Sequence, residues 1–426
     1  MVAEILEAVA WLLGKAKAPL TDYKTTAMRS ALAIQTHTPA VSSHRIAYVQ
    51  YTNPAAYPPL EHSSRMLAEA GWEVLFLGSG SSGQANGFQF PPHPNIRVRR
   101  WGHVHRGWRQ KVHCAGFSLW VLWQCWRRRV AWVYASDILA GPAALLVSRV
   151  LRCGVVYHEH DSPPLAGSRF FQRLLATRRE LCQRTAVVVL PNAQRAEAFA
   201  TVVSPRSRVL TVWNCPERRE VPPLNPRTPG HCTLFYHGSL NRMRLPLAVV
   251  QALALVPDFV QLEVAGYTTE GSQDYVELLL EEAGRLGLRG RVRYLGAPSE
   301  RTELLKLCGR ADIGLAFMPA ASGDLNMRAM TGASNKPFDY MACGLNLLVS
   351  DLPDWRAMFV EPGYARACDP ESAASIAQGV QWYLDHPAEA EAARARGRQR
   401  ILDEWNYETQ FAPVLHLLTN GSRIQP

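Results

Sequence analysis

Acidic residues are absent from Val74 to Ser136, while nine lysines and arginines lie between Arg97 and Arg129. Six of the chain's twelve tryptophans fall between Trp101 and Trp132. With a net charge of +10 for the whole chain, this imbalance implies an anionic partner: a nucleotide, a nucleic acid or an anionic membrane surface. Long apolar runs are also lacking, so no transmembrane span is expected. The nine cysteines are odd in number, scattered, and contain no C-x-x-C pair. That argues against a zinc site and a disulfide framework, and for a reducing cytoplasm. The first strand-to-helix turn, TNPAAYPPL, lacks the glycine fingerprint of a dinucleotide site. No Asp-x-Asp is flanked by strand residues, and no acid–base carboxylate pair of hydrolase type can be assigned.

At 426 residues the chain exceeds one ordinary core, so two domains are expected. Hydrophobic residues make up 47% and charged ones 19%, as in a soluble globular protein. Residues 1–44 read as a poorly ordered leader. Met1 to Leu13 is apolar but acidic and has no basic start, which makes it a poor signal peptide. From residue 45 to 215 short apolar runs alternate with amphipathic ones, beginning with a strand at Ile46–Tyr51, a helix at Leu60–Ala70 and a strand at Trp72–Leu77. This is the grammar of a parallel sheet. Residues 216–230 hold five prolines and no apolar period, and read as a linker. A second parallel-sheet domain follows over 231–404, and a last helix over 405–420.

The most informative stretch is Ser334 to Asp351, SNKPFDYMACGLNLLVSD. Small polar residues lead into a short helix ended by Gly344, and then into an apolar run of buried-strand length. A helix start preceded by Ser334 and Asn335 offers free amides and a partial positive charge to a phosphate. Asp339, one turn in, can accept hydrogen bonds from sugar hydroxyls. Together these suit a nucleotide or nucleotide-sugar.

The stretch resembles the donor motif K-x-x-E-Y-M-A-x-G-x-P-V of retaining, family 4-type glycosyltransferases of the GT-B fold. Lys336, Tyr340, Met341, Ala342 and Gly344 match; Asp339 stands for the family's ribose-binding Glu, Asn346 for its Pro, and Thr331 for a first Glu found in many members. The resemblance implies two Rossmann-like, doubly wound α/β domains facing a cleft, with the helix at 405–420 crossing back to the first domain. It extends to Gly238, Leu240 and Arg244 in HGSLNRMR, with Ser239 where an Arg is common, so that Arg242 or Arg244 must carry the charge. It also extends to His160 in HEHD, at the carboxyl end of a strand, and to Asn214-Cys215-Pro216 before the linker. The implied catalytic residues are His160, Arg244 and Lys336. The implied donor contacts are Gly238, Ser239, Arg242, Gly266, Ser334, Asn335, Asp339 and Tyr340, with Asn53 and Tyr57 facing the acceptor.

The implied activity is transfer of a sugar from a nucleotide-sugar to a glycan or lipid-linked acceptor with retention, in cell-surface polysaccharide synthesis. No cofactor or metal is expected, because arginine, lysine and helix amides can hold the leaving diphosphate. Other readings stay open: an epimerase of the same fold, a non-catalytic nucleotide-sugar binder, or a nucleic-acid-binding protein. The Trp-rich basic segment fits an anionic membrane surface, a packed helix with a solvated basic rim, or single-stranded nucleic acid, the last being the least favoured partner. The expected location is cytoplasmic, with peripheral attachment to the inner face of the membrane.

Overall fold

Residues 44–420, apart from 106, 227, 229 and 270, are described by a computed structural model. The expected leader therefore lies outside the described residues, His44 excepted.

The apolar runs form two sheets, every pairing parallel. The first comprises β1 (Arg45–Gln50), β2 (Glu73–Ser79), β3 (Ile96–Trp101), β4 (Trp132–Ser136), β5 (Gly154–His158), β6 (Val187–Leu190) and β7 (Arg208–Thr211) in the order β3-β2-β1-β4-β5-β6-β7. The second comprises β8 (Cys232–Leu240), β9 (Val260–Thr268), β10 (Val292–Gly296), β11 (Ile313–Ala316), β12 (Asn346–Ser350) and β13 (Ala365–Cys368) in the order β10-β9-β8-β11-β12-β13. Both are doubly wound, as expected for the fold class.

The strands read as continuous apolar runs because both faces are covered. Along β1, Ala47 and Val49 join one core with residues of α2 (Trp108–Arg128) and α3 (Gly141–Leu151). Ile46 and Tyr48, pointing the other way, join a second core with α1 (Pro58–Glu69) and the last helix. The remaining first-half helices are α4 (Arg169–Cys182) and α5 (Ala193–Val203); the second sheet is flanked by α6 (Ala248–Leu253), α7 (Tyr275–Arg285), α8 (Arg301–Cys308), α9 (Asn335–Ala342), α10 (Ala373–Asp385) and α11 (Pro387–Asp403). The last element among the described residues is α12 (Tyr407–Asn420), which returns to the first sheet and buries Tyr407, Phe411, Val414 and Leu418 there.

Strand order reverses at β1/β4 and at β8/β11, and crevices outside the carboxyl ends of such strands are where open α/β folds bind ligands. The two crevices face each other.

The small-residue loop at 318–334, whose irregular composition suits a mobile ligand-binding segment, lines both cavities and is tied to the first half at several points. Arg195 donates to the carbonyls of Ala329 and Asn326 at 3.0 and 2.9 Å, and Asn192 to those of Ala329 and Thr331 at 2.8 Å. The Asn326 amide also exchanges two bonds with the Ser162 backbone. First-half side chains thus satisfy three of the loop's carbonyls, those of Asn326, Ala329 and Thr331.

Candidate functional site

Two cavities open between the halves. One, of about 250 Å³, lies at the end of β8 against the start of α9. The other, of about 380 Å³, lies at the ends of β1 and β4. Arg244 lines both, so they adjoin at this residue.

The first cavity is built by close backbone approach. Gly238 has φ 109°, open to glycine and strained for other residues. A Cβ there would sit 3.3 Å from the Lys336 ammonium. A Cβ on Gly266 would meet the Gly238 carbonyl oxygen at 2.0 Å. Ser239, Ser334, Asn335, Lys336 and Asp339 also line this cavity. α9 starts at Asn335, so its leading amides face the space. Lys336 is buried there, and burial first, then Arg244, pulls its pKa down to about 7, with Asp339 opposing. Arg242 is exposed and lines neither cavity. Tyr340 lies behind the wall: its hydroxyl accepts from the His237 amide at 3.1 Å and donates to the Leu315 carbonyl at 3.3 Å. It fixes the end of β8 from below.

Asp339 does not stand alone. Its carboxylate takes both terminal nitrogens of Arg301, at 2.7 and 3.3 Å, and His237 Nε2 lies 3.5 Å away. Through its Nε and second Nη, Arg301 also holds Glu220 of the linker at 2.6 and 3.2 Å, and Glu220 lies 3.0 Å from His62 of α1. Burial raises the Asp339 pKa and Arg301 pulls against it. Burial opposes ionisation of Glu220 too, but Arg301 and His62 outweigh it and hold its pKa far below the carboxylate range. His62, Glu217 and Glu220 lie close enough to share a cation, yet Arg219 and Arg301 already occupy the two carboxylates. Thr331, at the place of the first family Glu, bonds to Asp354 and lines neither cavity.

In the second cavity Tyr57 is a wall, its ring 5.3 Å from that of His160. His160 itself lines neither cavity; it donates its amide to Asp137 at 2.8 Å and accepts from Arg195 at 2.6 Å through its carbonyl, while ring Nε2 has no partner. Burial, with Arg195 adding and Asp161 opposing, lowers its pKa to about 4, so the ring is neutral at pH 7. The neighbours diverge: His158 bonds Tyr134, and Glu159 forms a two-point pair with Arg178. Asn53 is buried and lines neither cavity. Its amide donates to the Ala85 and Phe88 carbonyls at 2.8 and 3.0 Å. It therefore holds the loop that carries Phe88 against Tyr267 of the second half, at 5.6 Å.

Sequence reasoning missed Asp137 and Arg301. Asp137 lines the second cavity and has φ 63°, an unusual backbone for a non-glycine residue that recurs at functional sites. Burial first, then Asp161, pushes its carboxyl up to about 7. Its position directly after β4 was the available signal. Arg301 had none, because its partners lie 38 and 81 residues away.

Two family descriptions match the chain: "Glycosyl transferase 4-like domain" over residues 60–215 and "Glycosyl transferase-like" over residues 248–416. The chain is 27% identical over 190 residues to a glycogen synthase of Mycobacterium tuberculosis, a match covering 43% of this chain and 41% of that protein. Among solved structures, Anabaena HepE in complex with UDP and glucose superposes with a TM-score of 0.65 at 15% identity, covering 88% of this chain and 99% of its own. Sucrose-phosphate synthase from Thermosynechococcus elongatus gives 0.66 at 16% identity, covering 89% and 99%. A glycosyltransferase from Rickettsia africae gives 0.67 at 10%, covering 90% and 100%.

Proposed function

Since the chain belongs to the GT-B glycosyltransferases, we propose that it moves a sugar from a nucleotide-sugar to a glycan or lipid-linked acceptor with retention of configuration. The observation that carries this reading is the convergence of Lys336, Arg244 and the first amides of α9 on one cavity, which shares Arg244 with a second. Charge developing on a leaving diphosphate needs donors fixed beforehand, and Lys336 and the α9 amides are held by burial and by the helix. Lys336 and Arg244 supply charge that a metal would otherwise bring, so turnover is expected to persist in a chelator. Gly238 and Gly266 let the phosphates approach backbone. Asp339, braced by Arg301, is the acceptor for ribose hydroxyls. His160, neutral and buried beside Tyr57 and Asp137, lines neither cavity itself, and its proposed role at the junction of acceptor and donor sugar runs through these two neighbours.

Retention follows if the acceptor hydroxyl approaches the donor on the face that the phosphate leaves, its proton passing to the leaving phosphate. Adjacent cavities sharing Arg244 suit that approach. HepE has been seen with UDP-glucose, which makes a uridine diphosphate sugar the first donor to try. The proposed setting is cell-surface polysaccharide synthesis at the cytoplasmic face of a membrane, with peripheral attachment. No helix among the described residues is long and apolar enough to cross a membrane.

The test is incubation with labelled nucleotide-sugars and a lipid-linked oligosaccharide acceptor, with product anomer read by NMR. Transfer with retention and release of nucleoside diphosphate is the expected outcome. Isomerised donor without transfer would make the protein an epimerase, and binding without turnover a non-catalytic module; either result overturns the proposal.

A further inference from the structure

The Trp-rich segment presents a defined face. Along α2, Trp108, Val112, Trp123 and Trp126 are 71, 52, 45 and 64% exposed. At about 100° per residue, these four and Leu119 fall within a sector of about 60° on one side of the helix. Large apolar side chains aligned in this way are unusual on a surface that faces only water. Arg109 and Arg127 flank the sector on one edge and Lys111 on the other, all exposed.

The adjacent edge strand β3 adds exposed Arg97, Arg99 and Arg100. Arg128 lowers its affinity for a proton partly through burial and then through Arg97, Arg99 and Arg127, so these charges lie together. The acid that acts on Arg128, Glu73, is paired with Arg45 at 3.0 Å. Basic residues around an interrupted row of tryptophans match an anionic bilayer interface, where indoles sit at headgroup level and guanidinium groups meet lipid phosphates.

The first turns of α2 also lie near the second cavity. Next to Val112, His113 bonds Tyr51, a cavity wall, at 2.6 Å. Lys111 lies over the Phe170 ring at 5.9 Å, and Phe171 is another cavity wall. We propose that the outer face of α2 and the β3 edge seat the protein on an anionic bilayer, with the acceptor cavity beside the Trp108 end. Naming that cavity the acceptor site rests on the glycosyltransferase reading above; the docking face does not. Trp108 and Trp126 are 18 residues apart, a span of about 27 Å, so the helix lies along the membrane.

Full-length protein is to be sedimented with phosphatidylcholine vesicles, with and without phosphatidylglycerol. Pelleting is expected only with the anionic lipid, and is reversed by salt. Arg127→Ser, Arg128→Ser and Arg129→Gly combined should lower partition roughly a hundredfold; glycine is chosen because Arg129 has φ 51°. A Trp108→Phe, Trp123→Phe, Trp126→Phe variant should still pellet but escape quenching by brominated acyl chains. Absence of pelleting, equal pelleting of the arginine variant, unchanged quenching of the phenylalanine variant, or displacement of vesicles by a single-stranded oligonucleotide at equal charge would each overturn the proposal. Thermal shift with UDP-glucose on the same samples separates the two ideas. Donor binding without vesicle binding refutes only the docking face, and vesicle binding without any nucleotide-sugar binding refutes only the proposed function.

Discussion

Replacing Arg301 with glutamine removes one cation from between two carboxylates. In the native protein its side chain is 9% exposed, that of Asp339 1% and that of Glu220 13%. Breaking a buried pair by deleting one partner costs about 3–5 kcal/mol, because a buried charge is left uncompensated. Two carboxylates lose Arg301 at once, but His62 still faces Glu220 at 3.0 Å, so the same range is expected for the whole change. At about 2–4 °C per kcal/mol for a domain of this size, the melting temperature should fall by about 6–20 °C at pH 7.5. The pH dependence gives a sharper check. Asp339 is already raised by burial, and without Arg301 it rises further. A group that binds its proton more tightly when folded gains stability as pH falls, so the variant recovers in acid. Glu220 does the reverse in the native protein: its depressed pKa contributes stability above its unfolded value, and this is lost as pH drops. The gap between the two melting curves should therefore begin to narrow between pH 7.5 and about 4.5 through Asp339 of the variant, and narrow further below that, where the native protein loses the Glu220 contribution. Differential scanning fluorimetry across that range, with donor KM at each end, is the assay. A melting difference under about 2 °C at pH 7.5, or one that does not narrow in acid, would refute the account of the network.

Lys336→Ala should lower turnover roughly 10²–10³-fold. With a pKa near 7, the native lysine loses its charge as pH rises through neutrality, so kcat/KM for the donor should fall about tenfold per pH unit above 7; a flat profile to pH 9 contradicts the assignment. Gly266→Ala drives a methyl group into the Gly238 carbonyl, and should abolish donor binding in a thermal-shift assay while costing about 1–3 kcal/mol of stability. Asp137→Asn should raise acceptor KM and leave donor affinity unchanged; an equal change in both would place Asp137 on the donor side.

The sequence made the doubly wound fold legible because buried parallel strands announce themselves as apolar runs, as in LNLLVS and VVVL. It concealed β3 and β13, both at sheet edges. In IRVRRW four consecutive residues are exposed, so neither an apolar run nor an alternation appears. The donor cavity was legible because its parts are contiguous: Ser334 to Asp339 on one helix start, Gly238 to Arg244 on one turn. Arg301 and Asp137 were not, since their roles depend on partners brought together only by the fold. Asn53 shows the opposite problem. A polar residue in the first loop suggests ligand contact, but three carbonyls within reach take its amide instead.

The return of α12 to the first sheet has a consequence for how the protein is made. Tyr407, Phe411, Val414 and Leu418 complete a core whose other members lie between Ile46 and Val212. As the chain leaves the ribosome, that first sheet must wait for nearly two hundred further residues before the cover over one of its faces is complete. At about 5–20 residues per second the delay is roughly 10–40 s, during which the core of Tyr48, Phe76 and Tyr134 has α1 beside it but lacks α12. The second sheet, whose cores draw on residues no later than Trp405, carries no such debt to the end of the chain. Synthesis thus begins with the half that must finish last, and a ribosome that stalls in the second half leaves an adhesive fragment in need of a chaperone.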